Sequence, residues 1–245
     1  MIPPKYNPEG PQLVLDFVGD EYYIWRPIQP WTHARILYRN ILKGATVTAS
    51  SEVNGFAASN LLYATTYDRW RPSSMPASVQ FDLPEPRKAD CIGIAAHNLA
   101  SSGAMVKLSI GASDTGPWTE ILSWSPATDG AQLKFFDYEE ESAHWLLECD
   151  GAAVPFIGVV YIGVALQMER AIYGGHTPIT LSRRTTVSNN MSEGGQLLGR
   201  SILSEGLRST YSWAHLSPDW YRQYFDPFVE AARTTPFFIA WRPES

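Results

Sequence analysis

At 245 residues the chain can hold one large domain, or a medium one with appendages. Its 44% hydrophobic and 18% charged content is that of a globular protein, not a disordered tail. A formal net charge of −6 excludes a general binder of phosphate backbones, which needs clustered Lys and Arg, so no nucleic acid is expected as a partner. The longest nearly apolar run, residues 154–166, contains Pro155, Gly158 and Gly163 and falls short of the roughly 18 residues of a membrane helix, so no membrane insertion is expected either.

The opening "MIPPKYNPEGPQ" carries no apolar signal-like run, and the proline-rich residues 1–43 read as an extension that packs on neighbours or on the C-terminal module. Short aromatic strands are expected within it at Leu13–Val18 and Tyr22–Arg26. From Gly44 to about Met168 the chain is a series of short β-runs separated by turn residues: Thr46–Ser50, Ser78–Leu83, Cys91–Ala96, Met105–Gly111, Leu133–Asp137, His144–Cys149 and Ile157–Leu166. Val79, Phe81 and Leu83 alternate with polar residues, as do Val106, Leu108 and Ile110, which places these apolar side chains in a core. Many strands and no long helix predict a mainly β, antiparallel jelly-roll sandwich over residues 44–168. Cys91 and Cys149 sit in apolar strand contexts, so two buried free thiols are expected rather than a disulfide, consistent with synthesis in a reducing cytoplasm.

Past Glu169 the pattern changes. "TPITLSRRTTV" reads as a strand whose Arg183-Arg184 pair is a solvated end, and residues 196–216 read as a hairpin around Ser204-Glu205-Gly206. Ser217 and Pro218 open a helix with Trp220, Tyr224, Phe228 and Ala232 on one stripe, interrupted at Pro227, and Phe237–Trp241 closes as a strand. Hairpin, helix and strand make a small α+β module over residues 169–245.

Motifs of catalysis are missing. His33, His97, His144, His176 and His215 have no metal-type spacing, and there is no C-x-x-C, nucleophile elbow, Walker loop or dinucleotide fingerprint. Glu139-Glu140-Glu141 reads as a solvated turn. These readings predict no enzyme, no cofactor and no bound metal.

Laid end to end, residues 44–168 resemble the discoidin, or coagulation-factor type C, family of galactose-binding-like jelly rolls. The resemblance lies in "VTASSE", "FAASNLL", "DRW", "SVQFDLPEPRKADCIGI", "VKLSIGASDTGPWTEI" and "AHWLLECDG", in the family's order. The family's Asn-Leu-x-Asp-Gly calcium loop is replaced by "NLLYATTYDRW", so no calcium is expected. "GIAAHNLASSGA" is similar to the variant of this domain in bacteriophage tail proteins, and the stretch from "SEGGQLLGRSI" to "DPFVEAARTTPFFIAWRP" to the end of siphophage distal-tail or minor-tail proteins. The first resemblance implies ligand-binding loops at one end of the barrel, with Arg69, Trp70 and Arg71 in one loop and His97 and Asn98 in another as candidates for a glycan. Trp70 either stacks on a sugar or plugs the barrel, and His97-Asn98 either bonds a ligand or satisfies a loop corner. The second implies a structural tail-tip or baseplate protein of the virion, assembled in the host cytoplasm. It would sit as a trimer or hexamer around the tail axis against tail-tube, hub and neighbouring tip proteins. The alternative it leaves is an adhesin that binds a cell-surface glycan.

Overall fold

The computed structural model describes residues 33–173 and 182–243, together with the backbone of the strands β1 (Leu15–Val18) and β2 (Glu21–Ile24), which pair as an antiparallel hairpin. The other residues of the expected strands Leu13–Val18 and Tyr22–Arg26, and the prolines around them, lie outside the described residues. The protein is mainly β, as expected, and every strand pairing among the described residues is antiparallel. No helix among the described residues is long and apolar enough to cross a membrane.

The sandwich is organised by two long strands. β4 (Thr46–Ala49) pairs with the start of β5 (Ala77–His97), which pairs along its length with β8 (Gln132–Asp150). β6 (Met105–Gly111) joins the late half of β8 and carries β7 (Trp118–Trp124) outside it, while β9 (Ile157–Gly163) pairs with the late half of β5. The pairing of β5 with β8 breaks between Asp82 and Arg87, where Pro84 and Pro86 remove ladder donors and the strands swing from one layer to the other. Each therefore serves both layers, where the sequence pattern had suggested two separate strands in each case. The acidic run Glu139-Glu140-Glu141 is part of β8 rather than a turn: Glu140 and Glu141 face Ala89 and Lys88 in register, and Lys88 Nζ lies 3.7 Å from Glu139.

Both layers close on one core. Val79, Phe81, Val106, Leu108, Trp145, Leu147, Ile157 and Ile162 are buried there, and Ile110 packs partly buried against it. Cys91 and Cys149 are buried and unpaired, and burial pushes the Cys149 thiol up to about 12.

A third layer lies outside β9. β3 (Arg35–Leu37) pairs with β10 (Leu166–Gln167) on one side and with β13 (Phe238–Ala240) on the other. Phe238 meets Tyr161 edge-on at 5.4 Å and lies over Gly93, where an added Cβ would stand 2.8 Å from the ring. This cover explains why every residue of β9 is buried: one face looks into the core and the other at β3 and β13. Arg35, buried within this layer, reaches Gln167 at 2.9 Å and Asp90 at 3.4 Å, and Asp90 accepts the Ala165 N–H at 2.8 Å. Burial raises the Asp90 carboxyl against the pull of these partners.

The C-terminal stretch is divided between two compact units. The helical segment and β13 belong with the sandwich, whereas Glu169–Pro218 form a unit of their own. The segment runs through Pro218–Trp220, a π-helical Tyr221–Phe225 and Asp226–Ala232. Pro227 does not break it: it stands in the first turn of Asp226–Ala232, where the π-turn just ahead absorbs the residue that lacks an N–H. Of its expected apolar stripe only Phe228 is buried, held edge-on by Tyr38 at 5.5 Å and by Phe237 at 4.9 Å.

In the Glu169–Pro218 unit, β11 (Arg183–Met191) and β12 (Leu197–Leu207) form one long hairpin. Its turn is Ser192-Glu193-Gly194-Gly195-Gln196, closed by Ser192 N–H to Gln196 O at 2.8 Å, with Gly195 at φ +80°. Ser204-Glu205-Gly206, expected as the turn, lies inside β12 opposite Thr186, Thr185 and Arg184. Glycine at a left-handed position outcompetes a triplet that the ladder can absorb. The neck of the unit is clipped where Glu169 accepts from the Ser217 N–H and hydroxyl, both at 2.7 Å.

Candidate functional site

The sandwich gathers its long connections at one end. Ala77 faces Cys149, His97 faces Ile157, and the six residues 151–156 join these two places, so both ends of β5 meet there. The link from β4 to β5 (residues 50–76), the loop 98–104 and the link from β7 to β8 (125–131) reach the same end, the last through Asp129 Oδ1, which accepts from the Ala100 and Ser101 N–H groups.

Trp70 is a plug. Its side chain is 0% exposed, its Nε1–H donates to Ser51 O at 3.1 Å, and its backbone exchanges both bonds with Ile157, at 2.8 and 3.0 Å. A ring so enclosed has no free face for a sugar, which corrects the stacking role expected for it. The buried cluster that takes in Trp70 explains the outcome: the loop end needs a large lid, and a Trp with one reachable acceptor supplies it.

His97 and Asn98 are corner residues. Ala96 turns the chain at φ +53°, opposite Gly158, where a Cβ would stand 2.9 Å from that of Ala96. His97 Nδ1 accepts the Leu99 N–H at 3.2 Å, which fixes Nε2 as the protonated nitrogen donating to Gly130 O at 3.0 Å. Burial lowers the His97 pKa, against smaller raising effects of the Gly130 bond and Asp129. Asn98 Oδ1 accepts the Phe156 N–H at 2.6 Å, tying the loop to residues 151–156. Both side chains bond the backbone, so of their two expected roles the structure places them in the corner rather than on a ligand.

Arg69 and Arg71 differ. The Arg69 guanidinium lies over Phe156 at 4.5 Å and near Phe56 at 6.0 Å, and its Nε is buried without a hydrogen-bond partner. Arg71 is exposed, with its backbone N–H bonded to Phe56 O at 3.2 Å. Of the five expected residues, then, the structure leaves Arg71 exposed.

What the sequence reading missed lies in the same connection. Tyr67 is 87% exposed and Tyr63 62% exposed, and both follow the 3-10 turn Ala58–Leu62, whose buried Ala58 and Leu61 anchor it to the core. Thr65 Oγ1 donates to Asp68 at 3.1 Å and shapes the bend that carries Tyr67 outward. The signal is present as Tyr63 and Tyr67 within "YATTYDRW". A shallow groove of about 250 Å³ opens at the edge of this end, lined by Ser78, Met105, Lys107, Glu148 and Asp150, with Lys107 and Glu148 paired at 2.7 Å. Among the described residues no three His, Cys, Asp or Glu side chains gather as a metal-binding group.

Comparison with known proteins finds no matching family model and no matching curated protein. Solved structures do match in part. Chitosan-binding module 1 from a chitosanase/glucanase of Paenibacillus sp. IK-5 is 15% identical at a TM-score of 0.44, over 51% of this chain and 98% of its own. The family 32 carbohydrate-binding module of C. perfringens NanJ, solved with galactose, is 15% identical at 0.44, over 53% and 98%. The family 32 module of AlyQ, solved with 4,5-unsaturated mannuronic acid, is 20% identical at 0.42, over 51% and 96%.

Proposed function

We propose that the protein is a non-enzymatic binding protein whose sandwich holds a carbohydrate at the loop end, against Tyr67, Tyr63 and Arg71. The observation that carries this reading is the pair of exposed tyrosines in a connection pinned from below by Trp70, Ala58 and Leu61. Exposed aromatic rings on a rigid frame offer the apolar face of a sugar a surface to stack on, and the preset frame limits the ordering cost of binding. Arg71 adds donors for hydroxyls or a carboxylate, which makes an acidic glycan the first ligand to try. The test is a glycan array with the full chain and with Tyr67→Ala. Binding of an acidic glycan that Tyr67→Ala abolishes, with an unchanged melting temperature, supports the reading; binding indifferent to Tyr67 and Arg71 refutes it.

A second reading concerns where such a domain works. As a structural component of a phage tail tip or baseplate, the chain would be assembled in the host cytoplasm and carried in the virion, in a ring of three or six copies against tube, hub and tip proteins. The partly exposed Tyr221, Tyr224, Val229 and Phe237 on and beside the C-terminal helix favour it, because apolar side chains of this size on one element suit packing against another protein. Both readings apply to one chain without conflict. Co-assembly with a recombinant tail-tube protein is the measurement that supports the second, and a full chain that stays apart from every tail component refutes it.

A further inference from the structure

The hairpin of β11 and β12 is a two-stranded ribbon with no third strand on either edge among the described residues, a form that is marginal in water by itself. Its two faces differ sharply. On one, the register sets Val187 against Ile202, Met191 against Leu197, and Arg183 against Leu207, with Thr185–Glu205 and Asn189–Arg200 between them. On the other face stand Arg184–Gly206, Thr186–Ser204, Ser188–Ser201 and Asn190–Gly199, all polar or small. The apolar face is bare: its five apolar side chains are 39% to 61% exposed, and the bulge residues Leu198 and Leu203 are 70% and 66% exposed.

We propose that this ribbon pairs face to face with the ribbon of a second copy of the chain, in antiparallel orientation about a two-fold axis. Three observations select that occupant. The first is area. With the two bulge leucines, seven apolar residues of one ribbon are 39% to 70% exposed, a patch on the order of 700 Å², which exceeds the roughly 300–600 Å² of a typical monomer's largest patch and approaches the roughly 800 Å² that each partner contributes to a stable interface. The second is the edges. The register shifts leave Leu203 and Leu198 as extra residues, both in β12, which disfavours adding a strand at that edge. The third is charge. Arg183 stands on this face at the base of the ribbon, with no acidic side chain within salt-bridge distance among the described contacts, while the tip carries the exposed Glu193. Parallel stacking would set base on base and oppose the two Arg183 side chains. Antiparallel stacking sets each tip over the other copy's base, and a contact that serves both copies alike closes at two.

The pairing can be read by sedimentation velocity of the full chain over roughly 1 to 100 µM, with the variants Ile202→Lys and Glu193→Arg. The expected result is a concentration-dependent dimer. Ile202→Lys should weaken it by about a hundredfold, the scale of losing a central apolar anchor and burying a charge. Glu193→Arg, placed in an exposed turn where folding is indifferent to it, should weaken it by about tenfold at low salt and less at high salt. Circular dichroism of both variants should match the parent. A full chain that stays monomeric throughout overturns the proposal, as does a dimer that neither variant weakens. A monomer in which β11 and β12 are protected from hydrogen exchange by another segment of the same chain overturns it too, since the face is then covered from within.

Discussion

Trp70→Ala separates a plug from a binding surface. A fully enclosed indole removes about 200–250 Å² of mostly apolar area from water, which at about 25 cal/mol per Å² sets an upper figure near 6 kcal/mol. Residual burial in the unfolded chain lowers that figure, and loss of the Nε1–H bond to Ser51 O adds about 1 kcal/mol with the acceptor left beneath the loops. The expected destabilisation is therefore about 3–5 kcal/mol, the range for emptying a buried aromatic site. Urea denaturation followed by tryptophan fluorescence and by far-ultraviolet dichroism measures it, provided the slope matches that of the parent. The backbone bridge of Trp70 with Ile157 does not need the side chain, so the fold itself should survive. A variant with unchanged stability and lost glycan binding would refute the placement of this ring in the core.

Other expectations follow from single contacts. His97 is held with Nδ1 as an acceptor, and its pKa lies below the ordinary 6.5, so the unfolded chain takes up the proton first. Stability should fall as pH drops below about 6.5 and level off once the lowered value is passed, and His97→Gln should flatten that part of a thermal-melt profile. Gly93→Val would drive a side chain into the Phe238 ring, so it should cost about 1–3 kcal/mol and raise hydrogen exchange in β13 and β3 before the sandwich core. Tyr67→Ala, by contrast, should leave the melting temperature within a degree or so of the parent, since the ring is almost wholly in solvent.

The sandwich was legible in the sequence because alternation survives in short windows: Val79–Phe81 and Val106–Leu108 each bury where period two places them. The passage of β5 and β8 between layers was not legible. "LPEPRK" and "EEE" look like turn chemistry, and only a partner strand shows that the backbone stays extended through them. Likewise "SEGGQ" and "SEG" compete as turns on local grounds, and the ladder decides between them by pairing nine residues of β11 with β12 across the first. Nothing local could have placed β13 beside β3, about two hundred positions earlier, since that contact depends on the outer face of β9 being apolar as well as the inner.

At the loop end, residue type leaves two roles open for Trp70 and for His97-Asn98, and solvent exposure decides between them. His97 and Asn98 are polar because a tight corner at Ala96 leaves backbone groups that need partners, and Trp70 is aromatic because a barrel end needs a lid. Such residues sustain the loops that a ligand would meet without touching it. Changing them should therefore weaken binding and stability together, whereas changing Tyr67 or Arg71 should move binding alone. That difference can be measured before any ligand-bound structure exists, because it needs only melting curves and relative affinities for one glycan. If stability and affinity fall in proportion for all of these residues, the loop end is scaffold and the ligand surface lies elsewhere.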